Sequence, residues 1–320
     1  DVANASLYDG GTALYEACLM AIRLTGRNRI VMDSGVSLIY RTMLHTYTSN
    51  LSIEFVEVPV EGMRTSREQF FRQIDDRTAA VVLQNPNFFG TVDNHSDIVE
   101  EAHRHGALAI QSVYPLALGM IVTPGETGFD IATGEGQSLG IPLSFGGPYL
   151  GFMACRQELV RQMPGRIVGA TVDREGRRGF VLTLQTREQH IRREKATSNI
   201  CSNEALCALR AAVFCALMGA DGFAELARVN YDKAEFAKKT LTAIPGVSLA
   251  YDIPTFNEFA LRLPRNADDV VYRMFDRGFA CGFPLGRFYR GMDAFLLVAV
   301  TEKRTREEIL RMASALEAVL

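Results

Sequence analysis

Between residues 29 and 111 the sequence alternates short, apolar-rich runs with amphipathic segments, and this rhythm restricts the fold more than any single motif does. Runs 29–33, 53–58, 79–84 and 107–111 read as strands, while 36–46, 66–74 and 97–105 read as helices. Strands that are apolar on both faces need helices covering both, so the pattern predicts βαβ units on a parallel sheet. Ligands of such sheets sit at the carboxyl ends of the strands. Three loops leave those ends: Asp33-Ser34-Gly35, the segment from Gln84 through Asn85-Pro86-Asn87 to Gly90, and Gln111-Ser112-Val113-Tyr114. Asn85-Pro86-Asn87 before Gly90 is turn chemistry, and its place after a buried strand leaves a binding role equally open.

The second constraint is the stretch 130–151. Phe129-Asp130-Ile131-Ala132 breaks into Gly134, Gly136 and Gly140, then Gly146-Gly147-Pro148, and a further apolar run follows at 150–154. Strand, glycine-rich loop, strand is the expected reading. It resembles the arrangement in pyridoxal-phosphate enzymes of the aminotransferase-like fold, where an Asp-bearing strand leads into a loop carrying the Schiff-base lysine. Here the loop has no lysine, and Gln137 stands roughly where that lysine would be. A carboxamide cannot form an imine, which needs a nucleophilic amine. The chain has five lysines (Lys195, Lys233, Lys238, Lys239 and Lys303), all well past the loop.

At the amino end, Ser6-Leu7-Tyr8-Asp9-Gly10-Gly11-Thr12 runs into a helix that continues to about residue 24. Gly10, Gly11 and Thr12 at a helix start offer free N–H groups and the positive end of the helix dipole, an anion cup. The alternative is a simple cap with Thr12 or Asp9 as the capping residue. Neither a G-x-G-x-x-G fingerprint nor a P-loop occurs.

With 320 residues, 48% hydrophobic and 22% charged, the chain falls in the globular class. Its net charge of −3 gives no reason to expect nucleic acid or an anionic membrane as partner. No uninterrupted apolar run approaches the ~20 residues of a membrane span. No signal peptide is expected ahead of the turn residues. Six cysteines without a C-x-x-C pair read as small buried hydrophobes in a reducing, cytoplasmic setting. His103 and His105 flank Arg104 at a helix end, where cations suit the dipole, and no metal site is expected there.

Past the loop, 156–163 reads as a short helix and 169–179 as an exposed excursion or hairpin. Arg187, Glu188, His190, Arg192, Arg193, Glu194 and Lys195 form the densest charge cluster, ending in Thr197-Ser198-Asn199. By default such a run is a solvated face. Asn203 or Ser202 is expected to cap an apolar helix over 204–218. Gly219 to Gly222 marks the expected boundary between a large α/β domain, 1–220, and a small α+β domain, 221–320. In the latter, 223–244, 267–277 and 306–320 read as helices, and 247–250, 258–263 and 295–301 as strands.

Longer runs carry a more specific resemblance. Ser6 to Ala13, Asn85-Pro86-Asn87-Phe88-Phe89-Gly90, Gly136-Gln137-Ser138-Leu139-Gly140, Phe145-Gly146-Gly147-Pro148-Tyr149 and above all the run from Leu184 through Arg187-Glu188-Gln189-His190-Ile191-Arg192-Arg193-Glu194-Lys195 to Cys201 resemble the α subunit (subunit 1) of the two-subunit glycine dehydrogenase, the decarboxylating P-protein of the glycine cleavage system. The resemblance runs essentially end to end, with a preceding N-terminal segment expected to be absent. It implies a PLP-dependent fold type I architecture and an α2β2 assembly. The β subunit would carry the pyridoxal phosphate on its lysine, and this chain would bind none covalently. Glycine is then decarboxylated and its aminomethyl group passed to the lipoyl arm of the H-protein, the cofactor acting as electron sink. On this reading Gly10, Gly11, Thr12, Asn85, Asp130 and Gln137 line a vestigial pocket. Arg187, Arg192, Arg193, Lys195 and Asn199 are interface candidates toward the β subunit or the H-protein. The alternatives are an autonomous pyridoxal-phosphate aminotransferase or desulfurase, which the absence of lysine before residue 180 disfavours, and a non-catalytic structural or regulatory subunit.

Overall fold

The structure is a computed structural model that describes residues 1–198, 200 and 204–320. Among these, the core is a seven-stranded sheet built from β1 (Val2–Leu7), β2 (Arg29–Asp33), β3 (Glu54–Val58), β4 (Thr78–Asn85), β5 (Leu108–Val113), β6 (Ile131–Glu135) and β7 (Gly151–Cys155). The spatial order is β1-β7-β6-β5-β4-β2-β3. The five strands from β6 to β3 run parallel, and β7 and β1 are antiparallel to their neighbours. Helices α1 (Gly10–Thr25), α2 (Leu38–Tyr47), α3 (Arg67–Gln73) and α4 (Ser96–Arg104) connect the strands up to β5.

Side-chain alternation explains why both faces are covered. Ile30 and Met32 of β2, Ala80 and Val82 of β4, and Ile110 of β5 pack with α1 through Leu14, Ala17 and Met20. Their neighbours Val31, Val81, Leu83 and Ala109 point the other way, against Phe70 of α3 and Ile98 and Ala102 of α4. Phe70 is fully buried. Truncating such a ring costs about 3–5 kcal/mol.

β1 is absent from the alternation of strands and helices legible in the sequence, because Val2-Ala3-Asn4-Ala5-Ser6 offers too little apolar periodicity. Pairing with β7, and the bond from Asn4 Nδ2 to the Pro164 carbonyl (2.7 Å), hold it in place. The stretch expected as helix over 156–163 is a 3-10 turn, Gln157–Gln162. The excursion near 169–179 is a hairpin of β8 (Ile167–Val172) and β9 (Arg178–Thr183).

The two apolar helices expected on either side of Gly219 form one run, α5 (Ala205–Leu241), with non-helical backbone at Gly219. By length and composition it is long and apolar enough to cross a membrane, which the count of uninterrupted apolar residues did not suggest. Its second half packs through Ala234, Ala237 and Leu241 on a four-stranded sheet of β10 (Ser248–Leu249), β11 (Glu258–Arg262), β12 (Phe283–Pro284) and β13 (Phe295–Ala299). The order there is β10-β11-β13-β12, all antiparallel, with α6 (Ala267–Phe275) and α7 (Arg306–Glu317) completing a second core. The capping residues expected at 202 and 203 lie outside the described residues. Cys18, Cys155, Cys207 and Cys281 are buried and unbridged, while Cys215 is exposed.

Candidate functional site

The carboxyl ends of β4, β5 and β6 open into a cavity of about 340 Å3 that β11 and β13 of the second core close from above. From the large sheet it is lined by Ser37, Tyr40, Gln84, Phe88, Ser112, Tyr114 and Glu135, and from the second core by Asn257, Glu258 and Thr301. Two of the three loops singled out from the sequence, 84–90 and 111–114, line this cavity, as strand-end topology requires, whereas 33–35 does not and is followed by Ser37, which does.

The amino end of α1 stands at one wall. Asp9 caps the helix: its Oδ1 accepts from the Thr12 backbone N–H (2.7 Å), and the Thr12 hydroxyl accepts from the Asp9 N–H (3.0 Å). Thr12 is therefore committed to the cap. The Gly10 N–H donates to Glu135 Oε2 (3.0 Å), and Glu135 Oε1 accepts from the N–H groups of Gln137 and Leu150 (2.9 Å each). Of the cup expected from Gly10, Gly11 and Thr12, the Gly10 N–H goes to Glu135 and the Thr12 N–H to Asp9; the cradle around this β6 carboxylate is made instead by Gly10, Gln137 and Leu150. Gly10 is needed for that closeness. A Cβ there would lie 2.5 Å from the Tyr40 hydroxyl and 2.9 Å from the Glu135 backbone nitrogen. Burial raises the Glu135 carboxyl above its ordinary value, and the three N–H groups partly offset this.

Several sequence candidates do not face the cavity. Asp130 precedes β6, about 16 Å of strand from Glu135. There its carboxylate accepts from the Ala109 N–H (2.8 Å), contacts His103 Nε2 (2.8 Å) and pairs with Arg156 (3.2 Å). It braces the amino end of the sheet. Asn85 spends its amide on Asp93, donating to the carbonyl (3.0 Å) and accepting from the N–H (3.2 Å). Gln137 turns back on its own loop, donating to the Ile141 carbonyl (2.6 Å). It lines a neighbouring cavity of about 580 Å3, shared with Arg210, Phe214 and Lys303.

Arg187 is buried rather than displayed: it donates to the carbonyls of Leu184 (3.1 Å) and Gly165 (3.0 Å) and pairs with buried Glu188 at 3.7 Å. Arg192, Arg193 and Lys195 are exposed. Asn199 lies outside the described residues. Because removing Arg187 leaves Glu188 buried and unpaired, Arg187→Ala is expected to destabilise the fold by about 3 kcal/mol. Chemical denaturation reads this directly, and Arg192→Ala should stay within about 0.5 kcal/mol of wild type.

The residues missed from sequence are Glu135, Tyr40 and Glu258. Glu135 had a signal: a lone acid between Gly134 and Gly136 closing an apolar strand. Burial pushes the Glu258 carboxyl up to about 7 and the Tyr114 hydroxyl up to about 12. A phosphate-bearing cofactor does not fit this set. The cradle already holds a carboxylate, no Lys or Arg lines the cavity among the described residues, and a second acid, Glu258, faces it. Nor do the described residues hold any cluster of three His, Cys, Asp or Glu able to bind a metal.

The sequence model of the family described as glycine cleavage system P-protein matches residues 1–316. The chain belongs to the P-protein family. It is 56% identical over its whole length to the probable glycine dehydrogenase (decarboxylating) subunit 1 of Geotalea uraniireducens, covering 72% of that protein. The counterpart from Nitratidesulfovibrio vulgaris (Hildenborough) is 54% identical with the same coverage. Among solved structures, an inhibitor-bound glycine decarboxylase (P-protein) of the glycine cleavage system superposes with a TM-score of 0.94 at 43% identity, the match covering 100% of this chain and 72% of that one. A Lactobacillus brevis glutamate decarboxylase at 14% identity and TM-score 0.72 shares the fold alone. Its mostly parallel sheet flanked by helices is the α/β fold of the PLP-dependent type I class.

Proposed function

We propose that this chain supports, rather than performs, the covalent chemistry of glycine decarboxylation. On this reading, subunit 2 carries pyridoxal phosphate on its own lysine, and the two chains assemble as α2β2. Glycine is decarboxylated there and its aminomethyl group passes to the lipoyl arm of the H-protein. The observation carrying the proposal is the strand-end cavity, which has no lysine among its described lining residues and has its anion cradle filled by Glu135. Lys303, which with Gln137 lines the neighbouring cavity, is exposed and lies between β13 and α7. The filled cradle also favours the version in which this chain's own pocket is structural.

The surface supports a large partner. Leu206, Leu209, Val213 and Leu217 form one stripe along the first half of α5, each at least half exposed. Phe145, fully exposed, and Leu143 lie on the glycine-rich loop, and Val168, Val172 and Phe180 stand on the β8–β9 hairpin. Single exposed apolar residues need no explanation, but a concentration of this kind marks an interface. The relatives' name, subunit 1, implies a counterpart of the kind needed to cover it. The exposed Arg192 and Arg193 offer charge for the same boundary or for the H-protein.

Leu209→Glu with Leu217→Glu is expected to abolish co-purification with subunit 2 while leaving the far-ultraviolet circular dichroism unchanged. Arg192→Ala with Arg193→Ala should reduce assembly or H-protein-dependent turnover. Glycine–bicarbonate exchange is expected only when both chains are present. Exchange by this chain by itself, or an imine absorption band on it with pyridoxal phosphate, would refute the division of labour.

A further inference from the structure

The cavity at the carboxyl ends of the strands has the position, but not the chemistry, of a phosphate-cofactor site. Three backbone segments supply the donors: Gly10 at the start of α1, Gln137 just after β6 and Leu150 just before β7. Their N–H groups converge within 3.0 Å of the two oxygens of a single carboxylate. Convergent backbone N–H groups at a helix start are what binds a phosphate monoester. We propose that Glu135 is an internal anion plug, its carboxylate standing in the cradle a cofactor phosphate would need, so that this chain refuses phosphate-bearing ligands.

Occupancy and charge act together. A phosphate oxygen would compete for N–H groups already committed to a charged acceptor, the stronger kind of hydrogen bond. It would also meet the like charge of Glu135 and the nearby Asp9, with Glu258 across the cavity. The Tyr40 hydroxyl packs against Gly10 from the cavity side, leaving little room to turn Glu135 aside. The plug also stabilises the fold, because it satisfies three backbone donors, those of Gly10 and Leu150 on buried residues. An acid on β6 reaches all three donors at once.

The test is thermal unfolding of the full chain in inorganic phosphate against chloride at matched ionic strength. Wild type is expected to show the same midpoint in both. Glu135→Ala, which empties the cradle, should gain at least about 3 °C in phosphate over chloride, by mass action on the folded state. Glu135→Gln, which keeps a neutral acceptor in place, should remain unresponsive. If Glu135→Ala does not fold in chloride, recovery of soluble, helical protein in phosphate but not in chloride supports the plug, and recovery in neither overturns it. A phosphate response by wild type, or an equal response by the Gln and Ala variants, also overturns it. In a second arm, Glu135→Ala should take up pyridoxal phosphate without a borohydride-fixed adduct, because no lysine lines the cavity among the described residues. These outcomes do not involve subunit 2, so the plug and the division of labour between subunits can fail independently.

Discussion

Gly90→Ala is expected to destabilise the chain by at least about 3 kcal/mol, measured as a fall in the urea midpoint at unchanged slope. Gly90 closes the loop after β4 with φ +82°, a region L side chains avoid. A Cβ there would lie 2.0 Å from the Glu258 carbonyl oxygen, on the backbone of β11. Backbone cannot swing away as a long side chain can, so loop and strand would have to separate. That contact joins the two cores: the Phe256 N–H donates to the Gly90 carbonyl (3.2 Å), and the Val92 N–H to the Pro254 carbonyl (2.9 Å). The cavity lies beside this junction, so the same variant should also loosen it. A loss below about 1 kcal/mol would mean that the loop yields freely and that the junction is soft.

Glu258→Gln is expected to raise stability at pH 8 by about 2 kcal/mol and to change little at pH 5. Burial moves this carboxyl from the ordinary 4.5 to about 7. The folded chain therefore holds the proton more tightly than the unfolded one. The stabilisation this gives is complete below about pH 4 and is lost as pH rises through 7, where the folded chain must carry a buried charge. Each tenfold change in proton affinity is worth about 1.4 kcal/mol, and partial access to water through the cavity brings the full figure down to about 2. The groups facing it are Glu135, Tyr40 and Tyr114, and no cation among the described lining residues would reverse the sign. Denaturant unfolding at both pH values measures it. Equal stability of wild type and Glu258→Gln at pH 8 would mean that the carboxyl is solvated.

The alternation between residues 29 and 111 was legible because each strand and helix there carries its own period. The strands β2 to β5 and the helices α1 to α4 follow from local pattern, with ends shifted by a residue or two. The glycine-rich loop was legible for the same reason, and its lack of lysine is a fact of composition. The direction of Asp130 was not. An acid leading a strand reads alike whether it faces a ligand or braces the sheet, and the choice was made by Ala109, His103 and Arg156, distant in sequence. Arg187 was read with its charged neighbours as surface, yet it turns inward to the carbonyls of Leu184 and Gly165. Nothing in a run of charges says which member is buried. β1, weakly apolar, exists because β7 offers it an edge.

By itself the sequence determined the α/β class and the lack of lysine in the glycine-rich loop, since these follow from periodicity and residue type. Only the tertiary structure decided what occupies the cradle. Glu135 is 125 positions from Gly10 in the chain, and their hydrogen bond exists because the sheet order sets the end of β6 beside the start of α1. Local preference cannot encode a contact of that separation, because it depends on the packing of everything between.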